Sequence, residues 1–124
     1  MAYMIAAAGE MASIATGGGE RLTVFLCGDV MTGRGIDQIL PHPSDRRLFE
    51  PYVRDAREYV ELARSRHGPI PGPVGGAYVW GDALAEFARV KPDVRVANIE
   101  TSITSSDDYW RGKGINYRMH PGNI

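Results

Sequence analysis

Three observations predict an α/β fold. A short apolar run, Leu22-Thr-Val-Phe-Leu-Cys27, stops at Gly28-Asp29. A second, Val94-Arg-Val-Ala97, runs into Asn98-Ile-Glu100. Between them apolar residues recur at helical spacing, so the order is strand, helices, strand. That order favours a parallel pair joined by a right-handed crossover. The 124 residues are enough for one domain, and 44% hydrophobic with 23% charged residues is the composition of a globular protein. A net charge of -1 removes the electrostatic case for nucleic acid or an anionic membrane as partner. No stretch approaches the ~20 apolar residues that cross a bilayer, and the basic start of a secretory signal is absent, so a cytoplasmic location is the default expectation.

Residues 1–20 read as a flexible leader, rich in Ala and Gly, with a short helical piece from Tyr3 to Ser13 and a joint at Gly17-Gly18-Gly19. The domain proper spans 21–124. Arg21 to Cys27 is the first strand; being apolar on both faces, it suits a central strand covered on two sides. Gly33 to Leu40 makes a short helix ended by Pro41 and Pro43. Ser44 and Asp45 are placed to cap the next helical stretch. Val53, Ala56, Val60 and Ala63 then mark the buried face of a helix running to Arg66, which Gly68 stops.

Gly68 to Gly76 carries three prolines and four glycines in nine residues, which excludes a regular element and leaves an ordered excursion or a mobile lid. Tyr78-Val-Trp80 reads as briefly extended. Asp82 caps a helix from Ala83 to Arg89, Pro92-Asp93 makes the turn, and Val94 to Ala97 is the second strand. After a polar stretch, Lys113 to Met119 alternates as a third, half-exposed strand. The single cysteine, Cys27, lies inside the first apolar run and reads as a buried, inert thiol.

The chemistry-bearing residues fall at the two strand ends. Open α/β sheets place their sites outside the carboxyl ends of the strands. Asp29 alone reads either as a turn aspartate or as a metal ligand held on a rigid strand tip. Asn98 and Glu100, one residue apart, share a face if the strand continues, and both offer oxygen to a cation. Together with Asp29 they make a metal site as plausible as a solvated surface. The divalent candidates are Mn, Mg, Zn and Fe. Arg34, between Gly33 and Gly35, reads as an anion binder or as a structural ion pair with Asp29 or Glu100; Lys113 and Arg118 are further candidates for anionic substrate. His42 and His67 lie in Pro/Gly surroundings and read as surface residues, whereas His120 follows the third strand and is the one histidine placed near the site. No zinc-finger spacing, phosphate-binding loop, nucleophile elbow or dinucleotide fingerprint occurs. Trp80 and Trp110 read as packing or loop anchors.

These residues also carry a family resemblance. Gly28-Asp-Val-Met-Thr-Gly-Arg34, Asn98-Ile-Glu100 with Thr101 to Thr104, and Lys113-Gly-Ile-Asn-Tyr-Arg-Met-His-Pro121 resemble, in order, motifs of the bacterial CapA-type proteins of capsule and poly-γ-glutamate synthesis. Trp80-Gly-Asp82 and Lys91-Pro-Asp93 also fit. The resemblance implies a calcineurin-like metallophosphoesterase fold, an α-β-β-α sandwich of two packed sheets with metals at the strand ends. It puts Asp29 in the place of the first-motif ligand and Glu100, with Asn98, in the region of the second. The Asp-x-His opening of that superfamily is Asp29-Val-Met31 here, so one nitrogen ligand is missing. The family's later Asn-Asn-His motif is not in this sequence, which implies the N-terminal portion of a longer domain, inactive by itself. The implied activity of a complete protein is metal-dependent hydrolysis, on a phosphoester or on an intermediate of an anionic polymer such as poly-γ-glutamate, alongside other capsule-synthesis proteins. The rival reading is a non-catalytic assembly or export factor.

Overall fold

The computed structural model describes residues 10–15 and 21–124. Its main sheet has three strands in the order β1-β2-β3: β1 (Glu10–Ala15), β2 (Arg21–Val30) and β3 (Val94–Ile99). β2 and β3 are parallel, as the strand, helices, strand order predicts, and β1 pairs antiparallel on the other side of β2. The helix expected to reach Ser13 is therefore a strand from Glu10 onward, because its backbone pairs with the apolar β2. Its earlier part, from Tyr3, and the Gly17-Gly18-Gly19 joint lie outside the described residues.

Both long strands run further than their apolar stretches. β2 continues through Gly28-Asp29 to Val30, and β3 through Asn98 to Ile99. Cys27 pairs with Ala97 but Asp29 pairs with Asn98, so Gly28 is an extra residue, a bulge. A bulge reverses which face the following residues occupy. Without it Asp29 would share the face of Phe25 and Cys27. With it Asp29 joins Leu26, Val96 and Asn98 on the opposite face.

Between β2 and β3 lie α1 (Gly35–Ile39), α2 (Arg57–His67) and α3 (Ala83–Val90). α1 lies within the expected Gly33 to Leu40, but α2 forms only from Arg57: Val53 and Ala56 are buried, yet they precede the helix instead of lining its face. Gly68 ends α2 at φ 85, a conformation open to glycine, with its N–H on the Arg64 carbonyl. Two expected helix caps are absent. Ser44 and Asp45 lead into no helix: the Ser44 N–H goes to Asp37, and Asp45 accepts the Arg47 N–H in a local turn. Asp82 sits at the start of α3 without a side-chain hydrogen bond to it.

The Pro/Gly excursion is an ordered strap rather than a lid, for Val74 is buried and its N–H donates to the Ile39 carbonyl at 2.8 Å. Gly76–Trp80 is a turn of 3-10 helix, not an extended piece, closed by Gly81 at φ 48. Only the end of the expected third strand forms. β4 (Ser102–Ile103) and β5 (Arg118–Met119) make a separate two-residue parallel pair.

The core is not under the main sheet. Ile39, Leu40, Val60, Val74 and Met119 pack together, with Ile36, Ile70 and Val79 against them. This cluster joins α1, α2, the strap and β5. The sheet is covered on one face by α3, where Phe87 meets Phe25 edge-on at 4.7 Å and the Arg95 guanidinium lies over the Phe87 ring. Its other face carries Leu22, Leu26, Val94 and Val96, all exposed. The expectation of a β2 covered on two sides is thus met on one side by the described residues. Cys27 is half-buried.

Candidate functional site at the ends of the parallel strands

The bulge at Gly28 assembles the first part of the site. Asp29 and Asn98 face each other across the β2–β3 ladder, and Asn98 Nδ2 donates to Asp29 Oδ1 at 2.5 Å. The Glu100 N–H donates to the Val30 carbonyl at 3.1 Å, which holds Glu100 directly beyond the ends of both strands. Asp29 and Asn98 therefore meet, and Glu100 follows at the strand ends, held there by its backbone. Asn98 spends an N–H on Asp29, leaving its carbonyl oxygen as an acceptor beside the carboxylate. The donor set is all oxygen, which suits a hard divalent cation. Among the described residues no three His, Cys, Asp or Glu side chains are placed together to hold a metal ion.

The loops that leave the two strands are tied to one another. The Thr32 N–H donates to Thr101 Oγ1 at 3.1 Å, and both residues are buried. The two glycines flanking Arg34 permit close approach, but to the chain itself. A side chain at Gly33 would press on the Arg118 backbone at 3.1 Å, and one at Gly35 on Tyr59 Cβ at 3.0 Å.

Arg34 adopts φ 52, costly for a residue with a side chain. Its Nε donates to Glu50 Oε1 at 2.6 Å, and its guanidinium lies over the rings of Tyr59 and Tyr117, at 5.1 and 4.7 Å. Glu50 is 3% exposed and also accepts the Tyr59 hydroxyl at 2.7 Å. Partial burial works against the charged guanidinium, but the hydrogen bond and the charge of Glu50 outweigh it and hold the Arg34 pKa above its usual value. Burial, with the hydrogen bond to Glu50, pushes the Tyr59 phenol up to about 12. The structural ion pair read as one option for Arg34 is thus present, with Glu50 as partner in place of Asp29 or Glu100.

Arg118 is also paired. It donates to Asp107 Oδ1 at 2.6 Å and to the carbonyls of Ser106 and Asp45. Lys113 is exposed and has no side-chain ion pair among the described residues. Arg34, Asn98, Glu100, Lys113 and Arg118 nevertheless line one open cleft of about 730 Å³; among the described residues Asp29 is not part of its wall. His120 is elsewhere. Its N–H donates to Asp37 and its ring lies 6.0 Å from that of His42.

Sequence reasoning passed over two residues that organise this region. Glu50 anchors Arg34. Asp37 is 2% exposed and accepts from the backbone of Ser44 at 2.7 Å and of His120 at 3.1 Å, tying α1 to the end of the chain. Asp37 gave no signal in the sequence: its neighbours Ile36 and Ile39 do not dictate that it is buried, and its partners Ser44 and His120 are reached only in the fold. Glu50 gave none either, since its partner lies sixteen residues away across a turn.

Comparison with known proteins follows this geometry. Residues 23–124 match the model of the family described as bacterial capsule synthesis protein PGA_cap. Two proteins named "Probable polyglutamine synthesis accessory protein", from the CDC 1551 / Oshkosh and H37Rv strains of Mycobacterium tuberculosis, are each 48% identical over 108 residues. The match takes in 87% of this chain and 28% of each relative, so the chain spans under a third of the proteins it matches. No solved structure matches it. Among the described residues no helix is long and apolar enough to cross a membrane.

Proposed function

This chain belongs to the bacterial capsule synthesis protein family PGA_cap, and from that premise we propose that it contributes the β2–β3 half of a divalent-cation site in a protein of capsule or poly-γ-glutamate synthesis. One observation carries the reading: Asp29 and Asn98 meet at 2.5 Å at the ends of parallel strands, with Glu100 immediately beyond. Asp29, Asn98 and Glu100 would hold the cation, with oxygen ligands that suit Mg or Mn best and leave Zn and Fe as weaker candidates. When bound, such an ion supplies Lewis acidity toward an anionic group or toward a water. The chain's own residues do the rest. The buried Thr32–Thr101 hydrogen bond ties together the two loops that leave the ligand-bearing strands. Lys113 offers an anionic group a charge that no carboxylate neutralises among the described residues, while Arg34 and Arg118 stiffen the cleft wall with charges already balanced by Glu50 and Asp107. The substrate class that fits is a phosphoester or a single carboxylate of an anionic polymer, engaged locally at the cation and Lys113. Other capsule-synthesis proteins are the partners, in keeping with the word "accessory" in the relatives' names.

A specific observation favours a second reading. Asn98 gives its amide hydrogen to Asp29, so the pair is also satisfied as a structural clasp. On that reading the protein is a non-catalytic assembly or export factor.

One experiment separates them. In a protein of the relatives' full length carrying this segment, Asp29→Ala is expected to lower metal-dependent hydrolysis at least about 100-fold, more than the loss of an outer partner of a ligand. Unchanged capsule formation in that variant, with no metal-dependent turnover in either protein, establishes the scaffold instead.

A further inference from the structure

Trp110 was expected to be a packing or loop anchor, yet it is 77% exposed and stands in the wall of the cleft. It is nevertheless held in place. A side chain at Gly112 would meet the indole at 3.0 Å, so the ring rests on the Gly112 backbone. The Lys113 N–H closes a turn onto the Trp110 carbonyl at 3.0 Å. Beside it, Tyr109 stacks on Phe49 with ring centres 3.4 Å apart. One side of the indole is thus braced and the rest is open. An indole braced on one side and uncovered among the described residues offers a flat apolar face to a ligand.

The charges of the cleft narrow the ligand. Its lining holds four cationic and four acidic side chains among the described residues, and Arg34 and Arg118 are spent on Glu50 and Asp107. That balance gives no net attraction along the length of a polyanion. Arg111 and Lys113 flank the indole in sequence and oppose a cation over its face. Neutral groups that both donate and accept hydrogen bonds remain, and Ser102, Thr104 and Asn116 line the same cleft to meet them. A pyranose ring has this character, with an apolar C–H face for the indole and a rim of hydroxyls for these polar side chains.

We propose that the Trp110 end of the cleft binds a sugar ring of a neutral oligosaccharide. This goes beyond the cation site and does not depend on it. The test presents the 124-residue chain to an array of neutral and acidic oligosaccharides and of γ-glutamyl oligomers, then titrates the retained compounds in solution. In a Trp80→Phe background Trp110 is the one remaining tryptophan, and its emission is expected to shift to the blue on binding. Affinity for a neutral oligosaccharide is expected to fall about tenfold in Trp110→Ala, the scale of losing one aromatic contact. Gly112→Ala, which displaces the indole without removing it, is expected to weaken binding as well. An unchanged melting curve for Trp110→Ala shows that the loss is not unfolding. No neutral oligosaccharide retained, or retention unaffected by Trp110→Ala, overturns the proposal. Binding confined to γ-glutamyl oligomers overturns it too, while leaving the cation-site reading intact.

Discussion

The α1–α2 region and the main sheet both contribute aliphatic residues, but these end in opposite conditions. In the first, Leu40 is 3% exposed and lies among Ile39, Val60, Val74 and Met119, with Asp37 and Glu50 buried beside them on paired hydrogen bonds. In the second, Val96 is 51% exposed, and Leu22, Leu26 and Val94 share its open face. Backbone pairing orders a strand without burying it; only a second layer does that. The two regions also divide the labour. The α1–α2 pack fixes the cleft wall through Arg34, whereas the candidate ligands Asp29 and Asn98 stand on the open face of the sheet.

The contrast can be broken or sharpened by substitution. Truncation in the core has the largest expected effect. Leu40→Ala should cost about 3 kcal/mol in urea unfolding of this chain, the range for a buried leucine, while Val96→Ala should cost less than about 1 kcal/mol. Equal losses would mean that the sheet face is covered in solution. Next comes Asp37→Ala, which strands the N–H groups of Ser44 and His120 and should cost about 2 kcal/mol; faster amide exchange at both residues is the accompanying sign.

The smallest effect lies at the start of α2. The Asp55 carboxyl sits at about 2, below its ordinary 3.8, chiefly because the Arg57 side chain donates to it; partial burial opposes this, and the Arg57 backbone N–H and the charges of Arg57 and Arg46 add to it. A depressed carboxyl stabilises the fold above its ordinary value and loses that contribution as pH falls toward 2. The Asp55 chemical shift should therefore titrate near pH 2, and Arg57→Gln should return it toward about 4.

Much of the fold was legible because its signals are local. Apolar runs marked β2 and β3, spacing marked α2, Gly68 marked its end, and the strand, helices, strand order gave the parallel pairing. Where the reading failed, hydrogen bonds that no periodicity records decided. Glu10 to Ser13 became a strand by pairing with β2, the Tyr78–Trp80 stretch wound into a 3-10 turn on the Gly75 carbonyl, and Ser44 turned to Asp37 instead of capping a helix. In the site, the meeting of Asp29 and Asn98 was readable because parallel strands bring their carboxyl ends together. The partners of Arg34 and Arg118 were not, since Glu50 and Asp107 lie on irregular segments whose paths no periodicity records.

The sequence by itself determined β2, β3 and α2, the placement of oxygen-bearing residues at two strand ends, and the family motifs, because each depends on neighbours within a few residues. Tertiary structure alone decided that Gly28 bulges and turns Asp29 to the face of Asn98, that Glu50 takes the charge of Arg34, and that Trp110 stays open. Each of those is a contact between distant segments, and its energy exists only once packing has brought them together.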